Sequence, residues 1–183
     1  MRFCVSLLSI AVFFLTACGQ ETNDNYGFTI NKVSVNRVYQ SLDVRLQQNL
    51  TLSQQAHRAL EHGVKLTIGL EMELRNDNNM IVELRDVRRF QLSYLPLSER
   101  YQLLDEETAE LRTFPRLRHL LAAIDELNVG LATGPLPPGS YELRTRIRLD
   151  EGRLPVPMQL PAWFSSQWQH DSEWSVWPFT INA

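Results

Sequence analysis

The sequence predicts an α+β domain that is mainly β, an antiparallel sheet or sandwich of about eight strands with two short helices. Three observations carry that reading. Apolar and polar residues alternate over several stretches, as they do in half-buried strands. Turn-forming clusters separate those stretches at hairpin distances. Apolar residues fall at helical spacing in only two places.

Taken in order, Phe28 and Ile30 alternate with polar residues, and Val33 and Val35 resume one step out of phase. That implies a strand with a bulge near Asn31 and Lys32. Leu42, Val44 and Leu46 alternate with Asp43, Arg45 and Gln47, giving a second strand joined to the first by a hairpin across 36–40. Ser53 as N-cap and Gly63 as C′ residue bracket a helix over 54–62, with Ala56, Ala59 and Leu60 facing inward. Leu66, Ile68, Leu70, Met72 and Leu74 then face one way, with Glu71, Glu73 and Arg75 on the expected solvent side. A turn over 76–79 leads to a long strand over 80–95, then a turn over 96–99 and a strand over 100–104.

The acidic stretch 105–110 reads as a loop, and Pro115 suits the first turn of the second helix. Leu117, Leu120, Leu121, Ile124 and Leu127 recur at helical spacing, so this helix is expected to end near Gly130, with a short strand available over 129–133. After a rigid loop over 134–139, Tyr141, Leu143, Thr145, Ile147 and Leu149 alternate strictly with Glu142, Arg144, Arg146 and Arg148. The proline-punctuated stretch 154–161 cannot be interior strand. Trp163, Phe164 and Trp168 are expected on a helical turn after Pro161, and Trp174, Val176, Phe179 and Ile181 on a closing strand.

The first eighteen residues give an address. Arg2 precedes an apolar run over 3–15 that is too short to span a bilayer as a permanent helix. Leu15-Thr16-Ala17-Cys18 then resembles the bacterial lipobox. That resemblance implies a lipoprotein signal peptide over 1–17 and acyl chains on Cys18. The small polar residues after Cys18 read as a flexible spacer over 18–27, and the length and even composition of the rest as a single globular envelope domain over 28–183. Two or more chains hold a protein firmly to a membrane. The expected location is the cell envelope, with the domain in the periplasm. Gly19 next to the anchor favours the outer membrane over the inner.

Composition narrows the chemistry. Of the two cysteines, Cys4 leaves with the signal and Cys18 carries lipid, so no disulfide, thiolate metal site or cysteine nucleophile is expected. A net charge of −3 and an exported address argue against a nucleic-acid partner. Only Lys32 and Lys65 are lysines; the other basic residues are arginines, a bias that planar carboxylate or phosphate pairing or a GC-rich genome would each produce. His57 and His62 are five residues apart, which does not place two imidazoles on one helix face, and His119 and His170 have no evident partner. No nucleophile elbow or glycine-rich phosphate loop appears. No catalytic residue, metal ligand or cofactor is therefore predicted.

Two features stand out as candidate contacts. Arg144, Arg146 and Arg148 put three guanidinium groups on one sheet face, where they would meet phosphate, a carboxylate-bearing partner, or Glu71 and Glu73 of a neighbouring strand. The cross-strand pairing is the leading reading. Trp163, Trp168 and Trp177, with Phe164, Trp174 and Phe179, either close the core or form an aromatic contact surface, the core being favoured.

Three segments in order complete the reading: Phe90 to Tyr94 leading to Ser98-Glu99-Arg100-Tyr101, Tyr141 to Asp150, and Leu154-Pro155-Val156-Pro157-Met158-Gln159-Leu160 before Trp174. Together they resemble the proteobacterial domain of unknown function numbered 4390, over nearly the whole mature chain. The chain departs from that family at 76–80, where a tryptophan-rich run is expected. The family has no assigned activity, so the resemblance implies no catalytic residue. Its members are often encoded near an envelope sensor kinase, which implies a membrane sensor kinase as one kind of partner. The expectation is a non-enzymatic protein-binding or regulatory module held to the membrane through Cys18, the alternative being a carrier of lipid or amphiphile or an assembly factor.

Overall fold

The computed structural model describes residues 26–76 and 82–182. The predicted signal peptide, Cys18 and most of the spacer, as well as the turn after Asn76, lie outside the described residues. The elements run β1 (Gly27–Val38), β2 (Ser41–Thr51), α1 (Gln54–Glu61), β3 (Leu66–Asn76), β4 (Val82–Leu95), β5 (Arg100–Asp105) and β6 (Leu111–Phe114). They continue with α2 (Leu117–Asp125), β7 (Glu126–Ala132), β8 (Gly139–Leu149), α3 (Val156–Phe164) and β9 (Ser175–Ile181). Two antiparallel sheets result, a 3-stranded one in the order β1-β2-β7 and a 6-stranded one in the order β6-β5-β4-β3-β8-β9. The mainly β, antiparallel reading holds. Among the described residues, no helix is long and apolar enough to cross a membrane.

Alternation explains most of this. On β2, Leu42, Val44, Leu46, Gln48 and Leu50 are buried while the residues that alternate with them are more exposed. On β8, Tyr141, Leu143, Thr145, Ile147 and Leu149 all point inward. The β1–β2 pairing slips between Ile30 and Lys32, at the predicted bulge, because the inward phase changes there. Ser53 caps α1 as its sequence implies: its Oγ accepts from the Ala56 N–H at 3.1 Å, and Gly63 beyond the C-cap takes φ +86°.

Three elements differ from expectation. First, α2 stops at Asp125 and Leu127 belongs to β7. Leu127, Val129 and Leu131 pair with Leu46, Val44 and Leu42 of β2, so their period-two pattern joins the sheet and overrides the helical spacing of Leu127. Second, the short edge strand β6 pairs with β5 through Tyr101↔Phe114, although its own four residues carry too little alternation to announce it. Third, α3 begins at Val156, before Pro161. Pro157 sits in its first turn, where the missing N–H costs nothing, and the helix continues past Pro161.

One hydrophobic core joins both sheets and the helices. Ala56 and Leu60 of α1, Leu120, Leu121 and Ile124 of α2, and Ala162 of α3 are buried in it beside the inward faces of β2, β3 and β8.

Candidate functional site

The arginine ladder lies on the outer face of the 6-stranded sheet, and its guanidinium groups are engaged within the chain. Arg148 Nε donates to Glu71 at 2.6 Å. Arg146 forms a fork with Asp171, its Nε donating to Oδ1 at 2.9 Å and Nη2 to Oδ2. Arg144 lies 3.9 Å from Glu73 and stacks 5.1 Å over the Trp174 ring. Glu73 is expected on the solvent side from its position opposite the apolar stripe, and the structure corrects this: it is only 6% exposed. Its carboxylate meets Arg75 at 2.8 Å and Arg85 at 2.9 Å as well as Arg144. Lateral cover from long arginine side chains on three strands buries it, and single-strand alternation does not reveal such cover. Burial works to raise the Glu73 pKa, but the Arg75 hydrogen bond and the charges of Arg85, Arg75 and Arg144 outweigh it and hold the carboxyl below its usual range. Burial also opposes ionisation of Asp171, and the Arg146 fork overcomes it in the same way.

The C-terminal aromatics divide. Trp168 is 2% exposed, so its place as an aromatic contact is corrected: it fills the core behind α1. Trp177 is half-buried and donates its indole N–H to Thr145 Oγ1 at 2.9 Å, the partner that lets an indole sit against the core. Trp163 alone of the three candidates is exposed, and it shares α3 with the exposed Val156, Leu160 and Phe164.

His170 has a partner after all. It is 1% exposed, and its Nε2 accepts from the Ser53 N–H at 2.8 Å. The rings of Tyr26 and Phe28 lie 5.3 and 5.2 Å away. Burial pushes the His170 pKa down, so the imidazole is neutral, as its acceptor role requires.

A cleft between α1 and α2 was not foreseen from the sequence, because its walls come from five separate elements. It has two adjoining parts that share His57, Leu117 and Arg118. One, of about 420 Å³, is walled by Leu52, Leu121 and Asp125. The other, of about 390 Å³, is walled by Glu61, Tyr101 and Arg116. Tyr101 donates its hydroxyl to Glu61 Oε1 at 3.2 Å, and His57 Nε2 stands 3.4 Å from the same oxygen. Burial, then the Glu61 charge, push the Tyr101 pKa up to about 12, so this phenol stays a donor. Burial likewise raises Asp125, against the Leu50 backbone hydrogen bond, and Asp125 Oδ1 has no hydrogen-bond partner.

Arg116 and Arg118 are exposed at the cleft's edge, and among the described residues neither forms an ion pair. Arg118 Nε reaches only the neighbouring His119 ring, at 3.3 Å. Apolar walls and two available guanidinium groups suit a ligand with a carboxylate or phosphate beside an apolar group. Among the described residues, no group of three or more His, Cys, Asp or Glu side chains stands close enough to hold a metal ion.

No curated protein and no solved structure matches the chain. Residues 26–178 match the family described as Domain of unknown function (DUF4390), and the chain belongs to that family.

Proposed function

We propose that this protein is an envelope lipoprotein, anchored through Cys18 with its domain in the periplasm, that binds another envelope protein and does no chemistry itself. A membrane sensor kinase is one partner of the right kind, and the outer membrane is the favoured anchor site. The observation that carries the binding half is the α1–α2 cleft. Arg116 and Arg118 are available there, whereas the ladder arginines are engaged with Glu71, Glu73 and Asp171. An acidic segment carrying one or two apolar side chains fits that combination, its carboxylates on the guanidinium groups and its apolar side chains against Leu52, Leu117 and Leu121.

A photoreactive residue in place of Arg118, activated in living cells and followed by mass spectrometry of the adducts, tests the reading. One dominant protein adduct, lost on Arg116→Glu, is the expected result. Lipid adducts at the same position would transfer the cleft to the carrier reading, since an anionic amphiphile presents the same pair of groups. Turnover abolished by changing Glu61 or Asp125 would refute a non-enzymatic role. Intact mass of the mature chain checks the anchor separately, through the acyl groups on Cys18.

A further inference from the structure

Helix α3 is apolar on both of its sides. Leu154, just before it, and Met158 and Ala162 follow one another at four-residue steps and face the core, Leu154 at 3% and Ala162 at 0% exposure. Val156, Leu160 and Phe164 form a second stripe at the same step, with Trp163 beside it, and this stripe faces outward. Their exposures are 78% for Val156, 62% for Leu160, 56% for Trp163 and 88% for Phe164. A helix apolar all round belongs in a second apolar phase, and a contiguous exposed apolar patch marks where that phase lies.

Three observations say which phase. From Leu154 to His170 the chain has no Asp, Glu, Lys or Arg, so nothing on or beside the outer stripe resists transfer out of water. At the N-terminal end of α3 a cleft of about 500 Å³ is lined by Val156, Arg153, His62 and Lys65; Arg153 is held by Glu106, which leaves Lys65, among the described residues, as the unpaired cation at the border of the apolar face. Lys65 is one of the chain's two lysines, is exposed, and forms no ion pair among the described residues. Finally, the described chain starts close by. Tyr26 packs on His170, just beyond the turn Ser166–Trp168 that follows α3 and is fastened to α1 through Ser53 and Gln167. Cys18 precedes Tyr26 by eight residues, a reach of at most about 28 Å.

We propose that α3 docks on the phospholipid bilayer, with Val156, Leu160, Trp163 and Phe164 entering the boundary between headgroups and acyl chains and Lys65 at the level of the phosphates. This rests on the Cys18 anchor for its tether, but the apolar face itself does not depend on it. An indole and a phenyl ring next to aliphatic side chains are the groups that settle at that depth. Because the stripe is uncharged, apolar transfer drives the docking and salt weakens it little. The domain then lies against the membrane with a fixed side down, and the α1–α2 cleft takes a defined height above the surface.

The test uses the full chain, purified with its anchor and reconstituted into vesicles of dioleoylphosphatidylcholine containing dibrominated phosphatidylcholine. Of its four tryptophans, Trp163 is the one that would meet the brominated chains. Tryptophan emission is expected to be quenched, and the quenching to be lost in Trp163→Phe and in Leu160→Glu, with unchanged circular dichroism. A chain whose mass shows the acyl groups but whose emission is not quenched, or is quenched equally in Trp163→Phe, overturns the proposal. A mass without acyl groups overturns the anchor reading alone. The same chain mixed with these vesicles then still decides for α3 by quenching and against it by none. A single protein adduct from a photoreactive residue at Phe164, with no lipid adduct, also overturns it.

Discussion

The outer face of the 6-stranded sheet and the outer face of α3 are opposites. The sheet face holds five arginines, and their charge is turned on carboxylates of the same chain: three guanidinium groups surround Glu73, one forks onto Asp171, and one reaches Glu71. The helix face holds no charge and turns its apolar side chains outward. Counting arginines and tryptophans alone would place function on the first and core on the second. Partnering reverses this. Charges that satisfy one another hold strands together, whereas apolar surface left in water is a standing unfavourable term. A feature points outward in proportion to what the fold leaves unsatisfied.

The largest expected effect comes from breaking the sheet side. Glu73→Leu leaves three arginines facing an isobutyl group, and stability is expected to fall by about 2–3 kcal/mol, read as a lower urea midpoint. Glu73→Gln keeps the shape and one of the two acceptor oxygens, the other being replaced by a donor that faces a guanidinium group, and should fall between Glu73→Leu and the wild type.

Next in size are two separate pH windows. Glu73 has a folded pKa held below its ordinary 4.5. Between those two values the unfolded chain binds the extra proton, so the stabilisation is complete above 4.5 and is lost as pH falls through the folded value, at up to about 1.4 kcal/mol per pH unit. His170, beside α3, has a folded pKa pushed below 6.5. The unfolded imidazole takes its proton first here too, so this contribution is whole above 6.5 and declines as pH falls from 6.5 toward the lower folded value. Unfolding curves across pH should therefore show a decline below 6.5 that His170→Gln flattens and a separate decline below 4.5 that Glu73→Gln reduces, Asp171 keeping its own share of the loss below 3.8. If one variant flattened both limbs, the two regions would not be independent.

Sequence made the sheet side readable because strand geometry is local. Period-two alternation fixed the faces of β3 and β8, and the meeting of arginines with Glu71 and Glu73 follows once those strands are neighbours, with Arg146 opposite Glu71 and Arg144 opposite Glu73; Arg148 reaches Glu71 diagonally. The burial of Glu73 did not follow, since it requires arginines from three strands in one register. The helix side was hidden by its prolines. Val156, Leu160 and Phe164 stand at four-residue steps, a signal present in the sequence, but Pro157 and Pro161 count against a helix unless the first lies in its first turn. The α1–α2 cleft was illegible for a third reason: Leu52, His57, Tyr101, Arg118 and Asp125 come together only through the tertiary fold.

The smallest expected effect is the most discriminating. Phe164 is 88% exposed and follows the buried Ala162 by two positions, so its ring contributes little to the core. Phe164→Ser should change the stability of the chain in detergent-free solution by no more than about 0.5 kcal/mol. A ring packed in the core would instead cost about 3–5 kcal/mol on truncation. Solubility should move the other way, with less self-association of the variant at high concentration, because an apolar group has left the exposed patch. Chemical unfolding and light scattering on the same samples measure both. A large loss of stability would mean that α3 closes inward and that its outer stripe is core; unchanged stability with lower self-association fits a surface kept apolar for contact with something outside the chain.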